Sequence, residues 1–155
     1  MQSLITPDLK VFIEGSQGIS MGTRDKDLTP EYTRVLGASV NEDGIITFYT
    51  AKDTSVKAIE NIDNNKLISI TLASPLSYEC YQFKGKYITY RDSNEIDQGN
   101  IERYLKGFND ALNILGIRDG IIYKWPSQPS MAIEMKVEEI FEQTPKVGAG
   151  KSISK

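Results

Sequence analysis

The sequence predicts a mainly β fold, an antiparallel barrel carrying helices, on three observations. Six or seven stretches alternate apolar and polar residues with period two, short turn signals separate them, and three helix-like segments interrupt them without regular strand-to-helix alternation. A parallel α/β sheet requires that alternation. The 155 residues, 39% apolar and 25% charged, bound one globular domain with enough buried surface for an unaided core. The reading assigns 1–145 to that domain and 146–155 to a flexible tail, because Gly, Ser and Lys dominate after Pro145.

Taken in order, Thr6 and Pro7 read as the cap and first residue of a short helix ending at Gly15. Residues 17–23 read as a buried strand, and 24–29 as a turn closed by Pro30. A second strand is expected over 31–40, followed by a hairpin signal at 41–44 and a third strand over 45–50 built from strong strand formers. Asp53 or Thr54 is expected to cap a helix that places Val56, Ile59 and Ile62 on one face and ends at 63–65. Residues 67–72 alternate as a half-buried strand. Residues 78–83 and 87–90 read as two arms around Lys84, Gly85 and Lys86, a turn or bulge. The clearest helix spans 97–115, with Ile101, Tyr104, Leu105, Phe108, Ala111, Leu112 and Leu115 at the helical interval and Gly116 as its stop. A loop holding Trp125, Pro126 and Pro129 leads to a last strand with Met131, Ile133, Met135 and Val137 on one face.

Composition excludes whole classes of chemistry. The chain has no histidine, which removes His-containing triads, HExxH zinc sites and facial-triad iron, so no metal site is expected. Its single cysteine, Cys80, forms no intrachain disulfide, and with no histidine to activate it the thiol reads as a small strand side chain. A net charge of −3 without a basic run points away from nucleic acid. The first ten residues lack the pattern of a leader and no run of apolar residues is long enough to span a bilayer, so a cytoplasmic protein without membrane association is expected.

Other signals have ordinary explanations. Gly148 to Ser152 imitates the end of a P-loop, but Pro145 replaces the first required glycine and too few residues follow to form the helix. The aromatic residues Tyr78, Tyr81, Phe83, Tyr87 and Tyr90 read as sheet packing, with a ring platform as the functional alternative. Trp125 reads as a loop anchor, with a cover over a pocket at a dimer seam as its alternative. The pairs Glu138-Glu139 and Asp25-Asp27 read as solvated.

One set of segments stands out for its order and spacing: Arg34-Val35-Leu36, Phe48-Tyr49-Thr50, Ser55 and Lys57 opening a helix that ends at Asn64, the strand over 78–85, and the closing segment 137–145. Together they resemble the pyridoxamine 5′-phosphate oxidase-like family of FMN-binding split barrels, in particular its small stand-alone members. The resemblance implies an antiparallel Greek-key split barrel and a homodimer with FMN at the interface. It assigns Arg34, Ser55 and Lys57 to the phosphate, Tyr49 and Thr50 to phosphate or ribityl contacts, and Gln82 to the ring edge. It nominates no catalytic acid or base: a bound flavin would carry hydride or electrons between a small-molecule donor and acceptor. Independently of any family, a helix start bearing Thr54, Ser55 and Lys57 offers free N–H groups, hydroxyls and positive charge to a phosphate, and Arg34 could add a forked contact.

The chain departs from the family pattern at Val56, where arginine is common, at Ser39, where the oxidases have lysine, and at Cys80, near the position of a flavin-contacting glutamine. It also lacks an arginine-rich C-terminal segment, which points away from vitamin B6 oxidation. The alternatives are a non-catalytic protein of the same fold that holds flavin, a deazaflavin or haem, and a ligand-free dimer.

Overall fold

Local signals set the ends of the elements in a computed structural model that describes residues 3–154. Met1, Gln2 and Lys155, the outermost residues of the expected leader-free start and flexible tail, lie outside the described residues. Thr6 accepts the Leu9 N–H at 3.3 Å, and α1 (Pro7–Ile13) buries Leu9 and Ile13. Asn94 and Asp97 exchange side chain to backbone bonds in a capping box that opens α3 (Glu95–Ile114). Gly116, at φ +79°, follows the end of this helix as expected. α2 (Val56–Asn65) differs from the sequence reading. Its cap position is Ser55, and it buries Ala58, Asn61 and Ile62, while Val56 is 61% exposed. The buried stripe is therefore set by Ala58 and Ile62 at i, i+4, one step round the helix from the face expected.

The strands are β1 (Gly18–Arg24), β2 (Pro30–Arg34), β3 (Ala38–Val40), β4 (Ile45–Ala51), β5 (Leu67–Ala73), β6 (Cys80–Asp92), β7 (Ser130–Glu142) and β8 (Lys151–Ser152). All pairings are antiparallel, in the order β2-β1-β5-β6-β7-β4-β3, with β8 on β7. The expected second strand over 31–40 is thus two strands at opposite ends of that order. The reason is a change of partner. The Val35 N–H bonds Ile19 O at 3.1 Å on β1, and the next N–H, of Leu36, bonds Tyr49 O at 2.7 Å on β4. One run of chain joins the two ends of the sheet and closes it into a barrel. Gly37 follows the switch at φ +113°, and a Cβ there would come within 2.9 Å of the Tyr104 Cβ on α3.

Met21, Ile46, Phe48, Ile70, Leu72, Phe83, Ile133 and Met135 are fully buried members of one apolar cluster that also takes in Ile13 from α1 and Ile62 from α2. Burial of each such side chain contributes about 1.5–3 kcal/mol. α2 is tied to the sheet by a buried bond from Asn61 Nδ2 to Thr23 Oγ1 at 3.1 Å. At the other end, β8 pairs with Phe141 and Glu142, beyond the point where β4 stops pairing with β7 at Lys136.

The two arms expected on either side of Lys84, Gly85 and Lys86 are one strand, β6, with a register shift between Lys84 and Gly85. Of the two readings offered for that tripeptide, the bulge is the one found. Gly85 is essential to it, because a Cβ there would lie 1.9 Å from the Lys136 carbonyl oxygen on β7. Gly85→Ala is expected to lower stability by on the order of 3 kcal/mol, read as a lower urea midpoint. A midpoint equal to that of the unaltered chain contradicts this account of the bulge.

Candidate functional site

The end of β4 and the start of α2 gather four of the six residues singled out in the sequence. Tyr49 is 1% exposed, and its hydroxyl accepts from Asn100 Nδ2 at 2.8 Å and shares a hydrogen bond with Ser39 Oγ at 3.1 Å. Thr50 is fully buried and its hydroxyl has no partner among the described residues. Ser55 is fully buried too, and its hydroxyl donates to Ala51 O at 2.7 Å, back onto the strand it follows. Lys57 is exposed and sits 3.2 Å from Glu60 on the next turn. The first turn of α2 holds no acidic residue, and no side chain caps its N–H groups. An anion at this end would therefore meet free backbone donors and one ammonium, for which it would compete with the exposed Glu60 carboxylate. The hydroxyls of Thr50 and Ser55 are turned inward and offer it nothing.

Arg34 is placed elsewhere. Its Cζ lies 3.5 Å from the centroid of the Trp125 ring. Among the described residues no carboxylate pairs with it, and the arginine side-chain hydrogen bonds belong to Arg24, Arg91 and Arg103. The guanidinium opens onto a cleft of about 420 Å³. Gly18, Ser20, Thr71 and Ala73 of the sheet line it together with Tyr32, Tyr104, Phe108, Leu112 and Trp125, and the Phe108 ring packs down on Gly18, where a Cβ would lie 3.7 Å from its Cζ. Tyr104 and Phe108 stack with centroids 5.7 Å apart, and Phe108 and Trp125 lie 5.9 Å apart. The Tyr104 hydroxyl donates to Gln17 O at 2.8 Å, and burial pushes its phenol well above the ordinary tyrosine range. No acidic residue lines the cleft. The sequence pointed to Trp125 as a loop anchor or pocket cover, and the residue it meets, Arg34, lies 91 positions earlier, beyond the reach of any local pattern.

Gln82 sits half-buried on β6, opposite Thr71 on one side and Phe141 on the other. The aromatic residues around it are not one platform. Tyr81 packs edge-on against Phe12 at 5.1 Å and is near Phe83, while Tyr87 and Tyr90 form a separate pair at 5.8 Å and Tyr78 is 71% exposed. Cys80 is half-buried and burial raises its thiol pKa, opposite to what a nucleophile needs. Among the described residues no group of three or more His, Cys, Asp or Glu is placed to hold a metal ion, and no helix is long and apolar enough to cross a membrane.

No protein-family model matches the chain, and no curated protein matches it in sequence. Solved structures do match in shape. An F420 reductase superposes with a TM-score of 0.58 at 12% identity, over 84% of this chain and 94% of its own. A Lactobacillus delbrueckii protein provisionally described as a pyridoxamine 5′-phosphate oxidase superposes at 0.54 and 15% identity, over 91% and 97%. HutZ, a haem storage protein from Vibrio cholerae, superposes at 0.52 and 14% identity, over 89% and 94%. The chain has the split-barrel fold of the pyridoxamine 5′-phosphate oxidase-like proteins. At these identities the likeness is one of fold, and split barrels bearing such different names do not choose among ligands.

One feature of this split barrel has a clear pH signature. Burial, and then the hydrogen bond to Glu79 at 3.0 Å, raise the Tyr81 pKa from 10.0 to about 12. Below about pH 10 the phenol is neutral in folded and unfolded chains alike, so its contribution to stability is fully present there. Above pH 10 the unfolded chain ionises first, and that contribution falls as pH rises towards about 12. Tyr81→Phe is expected to flatten the decline of the urea midpoint over this window. Parallel pH curves for the two proteins count against it.

Proposed function

We propose that this protein is a flavin-binding split barrel that takes FMN as a homodimer, with oxidoreductase activity between a small-molecule electron donor and acceptor. The observation that carries the reading is the start of α2, which follows directly on β4, carries Lys57, and has no side-chain cap and no acid in its first turn. Free N–H groups and a cation favour a phosphate dianion at a helix terminus, where it would draw Lys57 from its exposed pair with Glu60. The names of two fold neighbours, the F420 reductase and the oxidase-described protein, agree with this reading. Bound FMN would supply hydride or electron transfer. The chain's part is to hold the phosphate on Lys57 and the N–H groups of residues 56–58, with Gln82 as the proposed contact to the ring edge. Tyr49, Thr50 and Ser55 act in this scheme by shaping the end of β4, since their side chains are buried. Arg34, engaged by Trp125, stands outside the phosphate contacts.

A second reading has its own support. Val56 projects into solvent at the helix start where a further cation would strengthen the phosphate contacts, and the Ser55 hydroxyl is committed to Ala51. A grip thus weakened suits a non-catalytic protein of the same fold that holds flavin, a deazaflavin or haem, and HutZ is named as a haem storage protein.

Titration of the purified protein with FMN, followed by visible absorbance and protein emission, tests the proposal. Saturable binding is expected, weakened about tenfold or more in Lys57→Ala, as befits one charge-assisted contact. A colourless preparation that ignores added FMN removes the flavin reading. A haem absorption band after exposure to haem, without FMN binding, favours the second. Reduction of bound flavin by a nicotinamide cofactor separates an enzyme from a holder.

A further inference from the structure

The contact between Arg34 and Trp125 leaves part of the arginine unused. With Cζ only 3.5 Å from the ring centroid, an edge-on guanidinium would drive a nitrogen into the indole, so the guanidinium plane lies over the ring. Its face is therefore taken by a cation–π contact, while the N–H donors in its plane have neither a carboxylate nor a hydrogen-bond acceptor among the described residues. Stacking also fixes the orientation of the fork, so less freedom is lost when it closes on an anion. The remaining lining is uncharged, and the volume of about 420 Å³ falls within the range of about 300–1,000 Å³ typical of small-molecule sites.

We propose that the Arg34–Trp125 cleft binds a flat aromatic carboxylate, its two oxygens on the guanidinium edge and its ring over the Ser20–Thr71 floor, flanked by the Trp125 and Phe108 rings. A carboxylate matches a planar fork in two parallel bonds. A flat ring matches a floor of small side chains at Ser20, Thr71 and Ala73 with the tilted Phe108 and Trp125 rings beside it. A phosphate shares the headgroup chemistry, and the test separates the two. This site goes beyond the flavin reading and does not depend on it, because Lys57 and the start of α2 take no part in it.

Calorimetric titration of the full chain with cinnamate, with the emission of its single tryptophan reporting whether the acid reaches Trp125, is the experiment. Cinnamate is expected to bind and change the emission, and to bind about tenfold or more tightly than its uncharged methyl ester. Inorganic phosphate is expected to compete only weakly, having no ring to fill the slot. Arg34→Gln is expected to remove the preference for the acid while leaving binding of the ester, and Lys57→Ala to leave both unchanged. Equal affinities for acid and ester overturn the proposal, and this comparison needs no variant to fold. Displacement of cinnamate by FMN with an affinity indifferent to Lys57→Ala also overturns it, since the cleft would then be a flavin phosphate site. Loss of FMN binding in Lys57→Ala with cinnamate binding intact supports two separate sites, and failure of FMN to bind at all leaves the cinnamate result to stand by itself.

Discussion

The barrel depends on two successive backbone N–H groups choosing different partners. Val35 bonds to β1 and Leu36 to β4, so the stretch from Pro30 to Val40 belongs to both ends of one sheet. An open sheet of this order would leave two edges with unpaired donors and acceptors, and closure removes most of them. The switch also fixes the surroundings of the candidate sites. It holds Arg34 just before the crossing, on the half bonded to β1, and Tyr49 just across it, on β4. The two residues are brought near one turn of chain and yet face different environments, one a cleft and the other the underside of α3.

Polar groups near the crossing follow from that geometry. Tyr49 is covered by α3, so its hydroxyl must be satisfied inside the protein, and Asn100 and Ser39 do so. Ser55 sits at the turn between β4 and α2 and its hydroxyl donates a hydrogen bond back to Ala51 O, closing the turn. These residues spend their hydrogen-bonding capacity on structure. Thr50 is the exception, with a buried hydroxyl that has no partner among the described residues, a cost of about 1–3 kcal/mol by ordinary measure. The charged groups around them are differently placed: Lys57 is exposed at an uncapped helix start, and Arg34 is half-buried without a carboxylate. Binding capacity at this end of the molecule therefore resides in cations and backbone N–H groups.

Much of the fold was legible because its signals are local. The Thr6-Pro7 start, the 41–44 hairpin, the alternation of Ile68, Ile70 and Leu72, and the periodicity of α3 each occupy a few adjacent residues, and each is found. What could not be read was set by distant partners. The division of 31–40 into β2 and β3 depends on Ile19 and Tyr49, and the join of 78–83 to 87–90 depends on the Lys136 carbonyl beneath Gly85. Val56, Ile59 and Ile62 share apolar spacing, but α2 buries Ala58 and Asn61 with Ile62, leaving Ile59 half-buried against the core and Val56 exposed. For the sites, residue type pointed to Arg34 and Lys57 as cations worth tracking. It could not show that Ser55 faces inward, nor that Arg34 meets a tryptophan from a loop after α3. A residue after Pro145 also has a partner that composition could not supply: Ser152 lies opposite Phe141, on the edge that β4 leaves free.

The two candidate sites differ in what would make each selective. At the start of α2 the donors are backbone groups fixed by the helix, and a single ammonium adds attraction without direction. Such a site accepts most small anions and relies on the rest of the ligand for discrimination. In the cleft, the indole holds the guanidinium flat and leaves a fork of defined orientation beside an aromatic wall, so charge, shape and direction are read together. A fold that closes through Val35 and Leu36 keeps Arg34 in this position whether or not the helix start binds a phosphate. The barrel's closure and the cleft's chemistry are thus linked through one short segment, whereas the phosphate contacts hang on the independent turn between β4 and α2. Changes at Val56 or Ser55 would therefore bear on the proposed phosphate contacts without disturbing the closure that positions Arg34.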